Sequence, residues 1–317
     1  MQLTDKSLND YIDTVLFFGP DEKKAYENQI DHLKTTLTNA IHQNSNLGVI
    51  SINQAGSWRK GTALKPGGTQ DIDIDLIVYL DVEEAGANDI KLLHDRIVTL
   101  LQKAYPTKKK DDFNPGKKTV NIEFHTSGLK VDLAPAVPMK GLTDYVWQPE
   151  TGGGGAFLTS PKGQLEYVQA RKKEDPRYTQ VVRLAKRWRN YAELDEELSS
   201  FAIELLVAHL NVTRAPPTSI EQGFRRFLRY IAQSELRELI SFPEAIRTTA
   251  TSATPVRIFD PTNNENNVTS RITETERSSI VNSAAEAFQL INHACSIERQ
   301  GDTESLWKKV LGPHFFL

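Results

Sequence analysis

The sequence predicts an α+β fold, with strands in its first half and helices in its second. Two observations carry this. Runs rich in β-branched residues with alternating character fall at "GVISINQ", "IDIDLIVYLDV", "KKTVNIEFH" and "LKVDLAPAV". After about residue 140 the character changes and apolar residues recur at helical spacing instead. Strands first and helices later indicate a sheet-bearing half and a helical half. The 317 residues, 39% of them hydrophobic, suffice for one large domain or two ordinary ones.

The elements follow in order. Residues 5–19 and 21–44 read as two helices split at Gly19-Pro20, with Tyr26, Ile30, Leu33, Leu37 and Ile41 at helical spacing in the second. "GVISINQAGS" reads as a short strand entering a tight turn. "IDIDLIVYLDV" is a strand, and "DIKLLHDRIVTLLQKAY" an amphipathic helix. "KKK" at 108–110 and the lysines at 117 and 118 flank a charged loop that is expected to be mobile. Two further strands, "KKTVNIEFH" and "LKVDLAPAV", are joined by the turn Thr126-Ser127-Gly128. The glycines at 152–155 form a flexible loop. Helical patterns then cover 161–173, 176–192, 198–213, 219–237 and 276–297.

Bulk properties narrow the function. Net charge is −3, so no global basic field exists to attract nucleic acid. A single cysteine, Cys295, allows neither an internal disulfide nor a Cys-rich zinc site. It is expected to pack as a small hydrophobe. The histidines show no paired ligand spacing. With no signal pattern at the start and no long apolar run, a cytoplasmic location without membrane contact is expected.

The chemistry concentrates in acids. Asp73 and Asp75 are two apart in a strand, so their side chains leave the same face. Asp132 sits in an apolar frame on another strand. If the strands are neighbours, three carboxylates converge; unpaired, such a cluster is costly and some members stay protonated. Two Mg²⁺ ions would resolve it, because hard cations take carboxylate oxygens. Two ions about 3.5–4 Å apart can hold the attacking and leaving oxygens of a phosphoryl transfer. The plain alternative is a solvated strand edge. Against it, "LIVYL" follows directly, as in a central strand, where acids are rare without cause. Gly56 permits close backbone approach, and Ser57 offers a hydroxyl and an N–H to cradle phosphate. In "QVVRLAKRWRN", Arg183, Lys186/Arg187 and Asn190 share one helix face and Val182, Ala185 and Trp188 another. That basic face is either solvated or a phosphate contact. Lys60 is a further candidate.

These residues resemble a known pattern. "AGSWRKGTAL…DIDLIVYL…VDLAPAV" is similar to the nucleotidyltransferase signature of the DNA polymerase β superfamily. Within it, the chain resembles the cGAS/DncV-like nucleotidyltransferases of bacterial CBASS defence and the oligoadenylate synthetases. "GSWRKGT", "VVRLAKRW", "LSSFAIELL" and "FDPTNNENNV" look like successive motifs of that group. The resemblance implies a polymerase-β-like core with a mixed β-sheet at 1–155, including a long N-terminal helix, and a helical, oligoadenylate-synthetase-like domain at 156–317. The two lobes would enclose a central cleft. It implies Asp73, Asp75 and Asp132 as the metal and catalytic triad, holding two Mg²⁺ ions that Mn²⁺ can replace. Gly56 and Ser57 would hold donor phosphates, Lys186 and Ser200 the triphosphate, and Phe201 would stack on a base. The family pattern puts the apolar run directly after the second acid, which selects Asp73/Asp75 over Asp71/Asp73.

The implied function is metal-dependent joining of NTPs, ATP among them, into a cyclic di- or trinucleotide that a separate effector protein reads. The charge balance and the single cysteine argue against activation by nucleic acid. Two rivals are a linear transferase acting on RNA ends and a non-catalytic nucleotide-binding scaffold. The scaffold would be expected to lose its acids and its Gly-Ser turn, and both are intact.

Overall fold

In the computed structural model the described residues are 1–66, 72–82, 92–115, 119–150, 155–249 and 253–317. They form two compact units. One comprises Phe18–Lys60 and Pro66–Leu165; the other comprises Met1–Phe17, Gly61–Lys65 and Glu166–Leu317. This differs from the 1–155/156–317 division expected from sequence. The reason lies in the first helix, α1 (Asp5–Tyr11), and the π-helical turn Ile12–Leu16 that continues it. Leu8, Tyr11, Ile12 and Leu16 are buried in the core of the helical unit. Periodicity shows that such a face is buried, not what buries it.

The sheet unit begins with α2 (Pro20–Asn44), its proline in the first turn where no N–H is needed. Its buried residues are Ile30, Leu33, Leu37, Ala40 and Ile41, which include four of the five read from periodicity. Then follow β1 (Gly48–Gln54), α3 (Gly56–Lys60), β2 (Ile72–Asp81), α4 (Leu93–Ala104), β3 (Phe113–Pro115), β4 (Val120–Phe124), β5 (Leu129–Pro138), β6 (Val146–Glu150) and β7 (Gly155–Thr159). The strand order is β1-β2-β5-β4-β3, with β6 pairing β5 and β7 pairing β6. β2 and β5 are parallel and the other pairs antiparallel, so the sheet is mixed. β2 is central: Ile72, Ile74, Leu76, Val78 and Leu80 are all buried. Where a charged loop is expected, residues 110–115 form a 3-10 turn, Lys110–Asp112, and β3. Lys108 donates to the Glu123 carbonyl and lies over the Phe124 ring, 4.6 Å from its centroid. Lys117, Lys118 and Gly152–Gly154, which also figured in the loop readings, lie outside the described residues.

The helical unit contains α5 (Pro161–Glu174, whose first turns fall in the sheet unit), α6 (Tyr178–Tyr191), α7 (Ser200–Thr213), α8 (Ile220–Ser234), α9 (Glu274–Ser296) and α10 (Gln300–Leu311). Ser199, Ser219 and Thr273 cap α7, α8 and α9 by accepting from the third residue on. Its core gathers Trp188, Phe224, Phe227, Trp307 and Phe315. Two features go beyond the sequence reading. Thr303, Trp307, Val310 and Leu311 of α10 are buried. A small sheet, β8 (Leu239–Ile240), β9 (Arg257–Asp260) and β10 (Asn263–Asn267), takes up the "FDPTNNENNV" stretch. There Asp260 is a buried turn anchor: its Oδ1 accepts from the Thr262 N–H and hydroxyl, both at 2.8 Å. Among the described residues no helix is long and apolar enough to cross a membrane.

Candidate active site

The acids of the sheet unit lie on its two central parallel strands. Asp75 stands opposite Asp132 in register, and Asp73 opposite Lys130. On β2, Asp73 and Asp75 alternate with buried Ile72, Ile74 and Leu76, so both leave the face away from that core. Asp132 is likewise framed by buried Val131 and Leu133. Asp71, the alternative register's acid, lies outside the described residues.

Beside these acids the Gly-Ser stretch forms a short helix, α3, rather than the tight turn expected. The Ala55 N–H donates to the Asp75 carbonyl at 2.9 Å. Gly56 follows with φ +56°, and a Cβ built there would lie 1.6 Å from Asp75 Oδ2. Only glycine fits, for both backbone and space. Trp58 holds α3 from behind, buried against Phe18 and Tyr26 with centroids 5.1 and 6.3 Å away. Ser57 is half-buried and Lys60 is buried at the end of the same helix.

Asp132 is the strained member. Its Oδ1 is sealed from solvent and has no hydrogen-bond partner. Burial, first, and then the Asp75 carboxylate push its pKa up to about 6, with Lys130 opposing and Asp73 adding to the rise. The donor set fits a hard divalent cation: carboxylates on facing strands, one with an orphaned buried oxygen. As the side chains lie, no three acidic, imidazole or thiol groups among the described residues close into a metal cage. Asp73, Asp75 and Asp132 are the residues that could hold such an ion.

The remaining candidates belong to the helical unit. Arg183 and Lys186 on α6 are not a solvated basic face; they are 8% and 4% exposed. Arg183 donates to the Gly61 carbonyl at 2.8 Å and its guanidinium lies over Phe17, 4.6 Å from the ring centroid. Lys186 Nζ donates to the Thr62 carbonyl at 2.9 Å. Ser200, the first residue of α7, accepts from Arg189 Nη1 at 3.2 Å. Phe201 is half-buried against the helical core.

The structure adds residues that the sequence reading did not single out. Thr62, fully buried, donates its hydroxyl to Glu204 Oε1 at 2.7 Å, and Glu204 is 1% exposed. Thr62 closes the "GSWRKGT" stretch, and Glu204 is the one acid inside "LSSFAIELL". That lone acid in an apolar run was the available signal. Arg183, Lys186 and Glu204 thus grip residues 61–62, directly after α3 in the chain.

Comparison with known proteins identifies the family. The Second Messenger Oligonucleotide or Dinucleotide Synthetase domain family matches residues 1–171, and the family of PAP/OAS1-like domain 5 of the Nrap protein matches residues 176–307. A CBASS oligonucleotide cyclase, CdnC, of Escherichia coli strain KTE188 is 36% identical over 315 residues, covering 99% of this chain and 98% of the relative. A cyclic AMP-AMP-AMP synthase of Escherichia coli strain MS 115-1 is 30% identical, covering 92% of this chain and 91% of its own. The structure of E. coli MS115-1 CdnC with ATP superposes with a TM-score of 0.82 at 28% identity, covering 99% of both chains. The fold is therefore the polymerase-β-like nucleotidyltransferase fold, and the synthesis of cyclic oligonucleotides is the activity of the group. The chain belongs to the cGAS/DncV-like nucleotidyltransferases, the oligonucleotide cyclases of CBASS anti-phage defence.

Proposed function

We propose that this cyclase joins NTPs, ATP among them, in a divalent-metal-dependent reaction, and that its product is a cyclic di- or trinucleotide read by a separate effector. The observation that carries the reading is the row Asp75–Asp132 with its partnerless buried oxygen, next to a glycine that no other residue can replace. The 30% identical relative that makes cyclic AMP-AMP-AMP favours ATP as the substrate and the trinucleotide as the product.

Asp73, Asp75 and Asp132 would hold two Mg²⁺ ions, with Mn²⁺ as a substitute. When bound, such ions neutralise the triphosphate and the charge that develops at the α-phosphorus. The chain's own residues do the rest. Asp132 stands nearest the attacking ribose hydroxyl and, as a ligand of the metal, would help to deprotonate it. A ribose O–P bond forms, the bond from the α-phosphorus to the bridging oxygen breaks, and pyrophosphate leaves. Gly56 and Ser57 present backbone N–H groups and a hydroxyl to the donor phosphates. Lys60, Arg183, Lys186 and Ser200 are assigned to the triphosphate and Phe201 to stacking on a base. Catalysis is then mainly positioning and charge neutralisation.

The test is to incubate the purified protein with four NTPs and Mg²⁺ or Mn²⁺, treat with phosphatase, and identify resistant products by mass spectrometry. A cyclic adenylate is expected from the wild type and from Asp71→Asn, and none from Asp73→Asn. Equal loss in both variants would refute the register chosen for the acids. A linear ladder on added RNA would refute cyclisation.

A further inference from the structure

The row of acids continues one strand further. On β4, Val120 and Ile122 are buried, so Asn121 leaves the opposite face. Asn121 stands opposite Asp132 in register, and Asp132 opposite Asp75. Asp75, Asp132 and Asn121 therefore lie side by side across three adjacent strands. Strands are about 4.8 Å apart and facing Cβ atoms about 5 Å apart, close enough for neighbouring side chains to share one ligand.

Asn121 Oδ1 has the same peculiarity as Asp132 Oδ1: it is sealed from solvent and lacks a hydrogen-bond partner. The next residue along the row does not supply one. Asn114, opposite Asn121 on β3, is exposed and turns its amide nitrogen to the Asp111 carbonyl at 2.8 Å. In the adjacent row Lys130 stands between Asp73 and Glu123, a cation already flanked by two acids. Each buried acceptor left unmade costs about 1–3 kcal/mol, and two lone-pair-bearing oxygens cannot satisfy each other. A hard divalent cation satisfies both, because it takes amide carbonyl oxygens alongside carboxylates.

We propose that Asn121 supplies an amide oxygen, beside Asp132, to the divalent cation of this site. The inference rests on the reading of Asp132 given above. It makes Asn121 a binding residue on the Asp132 side of the site, and it distinguishes that side from Asp73, whose register partner is a lysine.

Three variants test it: Asn121→Leu, which removes the oxygen at similar size, Asn121→Asp, which keeps an oxygen and removes the amide donor, and Asp132→Asn. Mn²⁺ binding is titrated by electron paramagnetic resonance with a non-hydrolysable ATP analogue present, and synthesis is measured in parallel. Asn121→Leu is expected to weaken Mn²⁺ binding by roughly 10-fold or more, the scale seen when groups supporting a metal site are removed. Asn121→Asp is expected to bind Mn²⁺ at least as tightly as the wild type. Wild-type Mn²⁺ affinity in Asn121→Leu overturns the inference. So does an Asn121→Asp variant weaker than the wild type, which would mean that the amide acts as a donor to Asp132; this second variant serves even if leucine prevents folding. If Asp132→Asn itself retains both Mn²⁺ binding and synthesis, the reading of the whole site fails, and this inference with it. If Asp132→Asn loses both while the Asn121 variants match the wild type, the inference alone fails.

Discussion

Replacing Asp132 with asparagine should stabilise the metal-free protein while destroying its activity. A carboxyl held at about 6 instead of the usual 3.8 binds its proton more tightly folded than unfolded. Below the unfolded value both states hold the proton and no penalty exists. As pH rises through that value the unfolded chain ionises while the folded one stays neutral, so stability falls. Above the folded value both are ionised and the penalty is constant. Linkage then puts it at about 2–3 kcal/mol at pH 8 and at roughly half that at pH 5. Asparagine keeps the shape and removes the charge. The assay is thermal unfolding in EDTA of wild type and Asp132→Asn at pH 8 and pH 5. The variant should melt several degrees higher at pH 8, with the gap narrowing at pH 5. Added Mg²⁺ and an ATP analogue should raise the wild type and narrow the gap further. A variant that melts below the wild type at pH 8 would refute the reasoning, because the carboxylate would then be anchoring the fold.

Other outcomes follow from the same geometry. Gly56→Ala places a methyl on Asp75 at a left-handed backbone position; synthesis should fall by at least roughly 100-fold, as misplacement near reacting groups does, measured as product per minute at saturating ATP. Glu204→Leu removes the buried acceptor of the Thr62 hydroxyl, and urea unfolding should show a loss of about 1–3 kcal/mol, against about 1–2 for Thr62→Val. Equal stability of wild type and Glu204→Leu would mean that this hydrogen bond does not hold residues 61–62. Burial and the neighbouring Glu221 push the Cys295 thiol up to about 11. Alkylation by iodoacetamide at pH 7.5, followed by intact mass, should therefore run roughly 100-fold slower than that of free cysteine.

The sequence made part of this site legible for a physical reason. Period-2 alternation fixes which strand residues share a face, so the sequence alone pairs Asp73 with Asp75. Register between distant strands has no such local signal. That Asp75 faces Asp132, and that Asn121 extends the row, depends on pairing choices that only the assembled sheet makes. The same holds for residues 61–65, which join the helical unit although the chain on both sides belongs to the sheet unit. Arg183 and Lys186 read as either a solvated face or a phosphate contact, because charge at helical spacing fits both; burial excludes the first, with the backbone carbonyls of Gly61 and Thr62 among their acceptors. In residues 300–311 the apolar stripe of Trp307, Val310 and Leu311 is too short for periodicity alone to mark a helix.

The contrast between buried acids in the two units bears on function. In the helical unit Asp175 accepts from the Arg177 N–H at 2.9 Å and from Asn211 at 2.7 Å. Glu221 accepts from the Leu3 N–H at 2.5 Å, and Glu204 from Thr62 at 2.7 Å. These acids are provided with donors from distant parts of the chain, as a stable interior requires. Asp132 Oδ1 is not so provided, although a serine or lysine opposite it would suffice. Instead its strand neighbours on either side are a second carboxylate, Asp75, and Asn121, whose amide oxygen also lacks a partner, and Gly56 sits against Asp75 in a left-handed backbone conformation that other residues adopt only with strain. Several departures from local preference at one spot, amid elements that otherwise follow their caps and periodicity, are what a site built for a ligand produces. A fold under selection for stability alone would have removed them one by one, since each has a simple repair.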